Sequence, residues 1–124
     1  MTLIRRTETR RTETPGGVMT TLASPTQGGS TLSLWQAEVG PDGSGPLHYI
    51  DTEQIWTVTT GRAQIDLDGT ALTAEAGDTV ILPADVLRRI SAGPTGFTAL
   101  VTARPEARAG TPGSEDTVVP PWIA

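Results

Sequence analysis

The chain has 124 residues, with 14 acidic side chains against nine basic ones and a formal charge of −5. That balance excludes nucleic-acid binding by phosphate neutralisation, which needs a basic face. The absence of Cys excludes disulfides, thiolate chemistry and zinc–thiolate sites. At this length one domain is expected, burying roughly 65% of the unfolded chain's surface. No apolar run approaches the roughly 18 residues of a membrane span, and the N-terminus lacks the apolar stretch of a secretory signal. The cytoplasm is therefore the expected compartment, with no membrane partner.

In chain order, the first notable feature is a tandem pentad, RRTETRRTET, over residues 5–14. Its alternation suits an exposed edge strand or arm, and an open edge invites pairing with another chain. Residues 1–30 are expected to form this arm and its edge strands. From Thr31 to Val39, Leu32, Leu34 and Gln36 alternate with Ser33, Trp35 and Ala37. A Gly/Pro loop and His48 follow, then strands over residues 54–60 and 62–67. Asp68-Gly69 is a hairpin signal, answered by residues 72–74. Further strands are expected at residues 79–82, 87–90 and 97–103. No window carries a helical apolar period. Short Thr/Val/Ile-rich runs punctuated by 14 Gly and 10 Pro predict an all-β sandwich or small barrel spanning residues 31–103. Residues 104–124 form a tail. Its Pro/Gly/acid-rich part to Asp116 is expected to run over the surface, and its apolar end, with Trp122, to dock on the barrel or on a partner.

Two segments carry a family resemblance. The first is Gly40–Gly61, GPDGSGPLHYIDTEQIWTVTTG, and the second runs from Gly77-Asp78 through Pro83 to Arg88. Together they resemble the two motifs of the cupin superfamily, with Pro46, His48, Gly61, Gly77, Asp78 and Pro83 at framework positions. The resemblance implies a cupin-type double-stranded β-helix, or jelly-roll barrel, of a small single-domain bacterial type. It also implies a homodimer paired through edge strands and N-terminal arms. The family's four metal-ligand positions fall on His48, Ile50, Gln54 and Arg88, and a motif glycine falls on Asp85. One imidazole, a sec-butyl group, an amide and a guanidinium do not suit a divalent first-row metal. No metal cofactor is therefore expected. The exception would be a metal-dependent oxygenase in which Glu53 turns inward beside His48.

Strand alternation places Gln54, Trp56 and Val58 on one face and gives Arg88 and Ile90 a common face. The expected site is then a mostly apolar pocket for a small molecule. His48, Arg88 and Gln54 are the expected catalytic groups, His48 as acid or base and the other two as oxyanion donors. Trp56, Arg88, Glu53, Ile50, Val58 and Ile90 are the expected substrate contacts. The chemistry so implied is non-oxidative isomerisation, cyclisation or dehydration of an anionic or carbonyl-bearing metabolite. A non-catalytic ligand-binding or sensory role is the alternative from a different class. Arg88 could instead be neutralised internally by Glu53 or Asp51, since a buried charge needs a partner.

Overall fold

A computed structural model describes all residues 1–124 and contains nine strands, one 3-10 turn and no α-helix. The strands are β1 (Arg10–Thr14), β2 (Gly17–Ala23), β3 (Ser33–Val39), β4 (Tyr49–Ile50), β5 (Gln54–Leu67), β6 (Thr70–Glu75), β7 (Thr79–Leu82), β8 (Arg88–Ala103) and β9 (Ala109–Gly110). Seven form one antiparallel sheet in the order β1-β2-β3-β8-β5-β6, with β7 also on β5. β4 and β9 make a separate two-stranded ladder.

The sheet folds over on itself because its two long strands bend. The expected pairs of short strands, residues 54–60 with 62–67 and 87–90 with 97–103, are instead the continuous strands β5 and β8. They pair with each other on both sides of an unpaired stretch of β8 at residues 93–96, with register shifts at Val58/Thr60 and Gly61/Ala63. Gly61 (φ +73°) and Gly96 (φ +71°) sit at the bend. A Cβ on Gly61 would lie 2.1 Å from the Gly96 carbonyl oxygen, so the two backbones touch where a side chain would hold them apart. Glycine here bends the strand rather than ending it. The first half of β5 therefore pairs with the second half of β8 and with β7, and its second half pairs with the first half of β8 and with β6.

The two halves enclose the core. One row runs Trp35–Val101–Trp56–Val80 across β3, β8, β5 and β7. Trp35 and Val101 are fully buried, as are Ala63 and Ile65 on the opposing half. The segment between β3 and β4 extends that second half, through a bridge between Ser44 and Ser91 and another between His48 and Arg88.

Both ends belong to the barrel. β1 and β2 extend the main sheet beyond β3, so the N-terminal arm is part of the fold. The two pentads differ: Arg6–Glu8 is a 3-10 turn, whereas Arg10–Thr14 is a strand because β2 lies alongside to pair with it. The tail is no surface excursion throughout. Ala107 is fully buried, β9 pairs with β4, and Asp51 Oδ1 accepts from the Arg108 amide at 2.7 Å. At the C-terminal end Ile123 is fully buried. Thr21 Oγ1 donates to the Trp122 carbonyl at 2.8 Å, and Ser33 Oγ donates to the Ile123 carbonyl. The apolar end docks on its own barrel.

Candidate functional site

His48 and Arg88 face each other across a short antiparallel bridge. The His48 amide donates to the Arg88 carbonyl at 3.0 Å, and the Arg88 amide donates to the His48 carbonyl at 2.8 Å. Arg88 opens β8, whose alternation buries Arg88 and Ile90 and exposes Arg89. The β7–β8 turn then receives its side chain. Nε donates to the Val86 carbonyl at 3.1 Å, and one terminal nitrogen, Nη2, donates to the Pro83 carbonyl at 2.7 Å. The other, Nη1, is buried and has no partner. No carboxylate forms an ion pair with this guanidinium: Glu53 and Asp51 are both exposed. The expected internal salt bridge is thus replaced by two carbonyls. Burial lowers the Arg88 pKa below its ordinary value, and the Asp85 carboxylate opposes the shift. An arginine nevertheless stays charged at neutral pH.

His48 is half-buried, and its Nδ1 lies 2.8 Å from the Pro46 carbonyl oxygen. A carbonyl only accepts, so Nδ1 carries the proton in the neutral ring and Nε2 presents a lone pair. Burial pushes the pKa below the ordinary 6.5, the Pro46 hydrogen bond opposes this, and the Arg88 charge adds to the lowering. At neutral pH the pair is therefore a neutral base beside a permanent cation.

The remaining expected site residues divide. Gln54, buried at the start of β5, accepts from Trp56 Nε1 at 3.1 Å, which leaves its amide nitrogen as the group free to donate. Trp56 is 6% exposed and packs on Phe97 with ring centroids 6.4 Å apart. Ile50, Val58 and Ile90 belong to the same packed core. Alternation put them on the inner face, and there they are buried in the hydrophobic core. Glu53 does not turn inward, because it precedes β5 and is exposed while Gln54 next to it is buried. Two open depressions of about 550 and 340 Å³ lie elsewhere, lined by residues such as Arg62 and Thr95 in the first and Leu3 and Arg6 in the second.

Asp85 was not among the expected site residues. It adopts φ +65°, a left-handed conformation that Asp tolerates better than most residues. Its place in the turn puts a carboxylate near Arg88. The signal in the sequence was an Asp where the motif carries Gly.

The donor set does not fit a divalent metal. His48, Ile50, Gln54 and Arg88 offer one imidazole and one amide beside a fixed cation, and no three His, Cys, Asp or Glu side chains converge anywhere in the structure.

An antiparallel barrel of bent double-length strands with a site between its two motifs is the architecture of the double-stranded β-helix. No family model matches the chain, and no curated protein matches it. Solved structures do. A cupin 2 domain-containing protein from Halorhodospira halophila is 20% identical over 84% of this chain and 75% of its own, with a TM-score of 0.74. An RmlC-like cupin from Shewanella frigidimarina is 20% identical over 80% of this chain and 86% of its own, with a TM-score of 0.68. Salicylate 1,2-dioxygenase from Pseudaminobacter salicylatoxidans aligns at 19% identity and a TM-score of 0.71; 86% of this chain covers 33% of the enzyme. This chain has the cupin fold.

Proposed function

We propose that this protein holds a small metabolite bearing a carboxylate, enolate or carbonyl oxygen at Arg88, and moves a proton on it with His48, without a metal. The unpartnered Nη1 of Arg88 is the observation that carries this reading. A buried donor without an acceptor costs on the order of 1–3 kcal/mol, more when charged, and a ligand oxygen removes that cost. Nε2 of His48 supplies the base from the facing strand. Arg88, with the Gln54 amide, supplies donors for an oxyanion, worth roughly 3–4 kcal/mol each where the geometry is best. The chemistry is non-oxidative, of the isomerase, cyclase or dehydratase type.

A second reading, a binding or sensory protein without turnover, is favoured by the core packing of Trp56, Ile50, Val58 and Ile90. Two measurements separate them. Benzoate should raise the melting temperature of the wild type and leave Arg88→Gln unshifted. Arg88→Lys, which keeps the charge but loses the fork, should give an intermediate shift and serves as the control if Arg88→Gln unfolds. A panel of 2-keto acids in D2O then tests for exchange of hydrogens next to the carbonyl. Exchange that is lost in His48→Gln supports catalysis, whereas binding without exchange supports the second reading. Near-stoichiometric iron, manganese or nickel in purified protein overturns the metal-free part of the proposal.

A further inference from the structure

Arg88 Nη1 is not the only polar side-chain atom buried without a partner: Thr52 Oγ1 is another. Thr52 lies in the connection between β4 and β5. It stands between the buried Ile50 and the buried Gln54, and its neighbours Asp51 and Glu53 are exposed. This connection runs antiparallel to the turn that holds the Arg88 guanidinium. His48 bridges to Arg88, the Ile50 carbonyl accepts from the Asp85 amide at 2.8 Å, and Gln54 pairs with Leu82. Thr52 is therefore opposite the Pro83–Ala84 part of the turn. The Arg88 side chain turns back to that same end, where Nη2 donates to the Pro83 carbonyl at 2.7 Å. Backbone pairing thus gathers Thr52, Gln54 and the guanidinium at one end of the turn. The third such buried atom, Trp35 Nε1, is on β3, which pairs with β2 and with the second half of β8.

We propose that Thr52 Oγ1 is a second contact for the ligand of Arg88 and sets its class: a small acid with an oxygen on the carbon next to its carboxylate, a 2-hydroxy or 2-oxo acid. The inference rests on the reading of Arg88 as the ligand's anchor. Nε and Nη2 of Arg88 are engaged by carbonyls of the turn, so Nη1 is the nitrogen left to hold the carboxylate. A further oxygen on the ligand then needs a partner of its own. A hydroxyl rotates to donate to a carbonyl oxygen or to accept from an alcohol, so Thr52 suits either oxidation level. Buried unpartnered polar atoms are few in folded proteins, and two on facing segments of one site point to a shared occupant. An acid lacking the second oxygen leaves Oγ1 stranded, and a site built this way discriminates against it. The connection is also fixed before the ligand arrives. The Asp51 amide donates to the Arg108 carbonyl at 3.0 Å, and Asp51 Oδ1 accepts from the Arg108 amide at 2.7 Å. Little ordering is then needed on binding.

Pyruvate and propionate separate the two contacts, because they share a carboxylate and only pyruvate carries the neighbouring oxygen. By titration calorimetry at neutral pH the wild type should bind pyruvate about tenfold tighter than propionate. Thr52→Val keeps the shape and loses the hydroxyl. It should bind pyruvate no better than propionate, with propionate affinity unchanged, and Thr52→Ser should keep the preference. Without ligand, Thr52→Val should unfold at a urea midpoint no lower than the wild type, since it removes a stranded hydroxyl rather than a bond. A Thr52→Val that keeps the preference, or that weakens both acids equally, overturns the proposal. So does a lower urea midpoint, which would mean that water already satisfies Oγ1 in the free protein. A wild type that binds both acids equally removes the Thr52 contact and leaves the Arg88 anchor standing. A wild type that binds neither acid, nor benzoate, removes both.

Discussion

Two nitrogens of Arg88 donate to carbonyls of the preceding turn, and the third donates to nothing. Beside it, His48 keeps a neutral ring with its proton placed by the Pro46 carbonyl. His48 is the only histidine, so both statements can be checked by nuclear magnetic resonance on a single imidazole. The ring should titrate below 6.5 as the Nδ1–H tautomer. The linkage follows from the sign of that shift. Above pH 6.5 both folded and unfolded chains hold a neutral ring, and His48 has no effect on stability. Below 6.5 the unfolded chain takes up a proton that the folded one resists, so stability falls with pH until the folded-state pKa is passed. The slope from one group is at most about 1.4 kcal/mol per pH unit. Urea midpoints at pH 8 and pH 5.5 should therefore drop less in His48→Gln than in the wild type. Asp85→Asn is the companion test. Asn also tolerates a positive φ, and the variant removes the carboxylate that competes with a ligand for Arg88. Benzoate should bind it several-fold tighter, read as a larger thermal shift. The identities of His48, Gln54 and Arg88 at their motif positions were legible in the sequence. Which groups satisfy Arg88 was not, since the nearest acids in the motif, Asp51 and Glu53, both face solvent.

Among the elements, alternation located the strands and sorted their residues into two faces, and the structure shows which face is inward. Trp35, Ala37 and Val39 on β3, and Gln54, Trp56 and Val58 on β5, are all buried. Alternation did not show that two pairs of strands are one strand each. A glycine in a β-rich run signals a turn or a bulge with equal weight, and only its partner strand decides. At Gly61 the decision is steric contact with Gly96. Gly61→Ala should therefore cost about 2–3 kcal/mol in urea unfolding, from a positive φ combined with a Cβ against a carbonyl. A fall of under 0.5 kcal/mol would show that the bend does not depend on this contact. The pentads make the same point from the other side. One sequence gives a 3-10 turn at Arg6–Glu8 and a strand at Arg10–Thr14, so a neighbouring strand outweighs local preference.

At the scale of the whole molecule, the chain ends close the barrel. Ile123 is fully buried one residue from the last, and Ser24 and Thr26 both donate to the Ala124 carbonyl at 2.7 Å. Ile123→Ala should cost about 2–4 kcal/mol, as for other buried large-to-small changes. A cost under 0.5 kcal/mol would mean the tail is not docked in solution. The sequence by itself determined that this is a single all-β chain of cupin pattern, and that three of the four positions that hold a metal in that pattern are Ile, Gln and Arg. Composition and period suffice for the strands, because they report the residue types and their alternation; the cupin pattern and its ligand positions come from the resemblance of the two motifs. Only the tertiary structure decided that the aromatic and aliphatic inner residues pack as core, that Arg88 has one unpartnered nitrogen, and that β1 has a free edge. Each of these depends on which atoms from distant parts of the chain come into contact, and alternation along one strand carries no information about its neighbours.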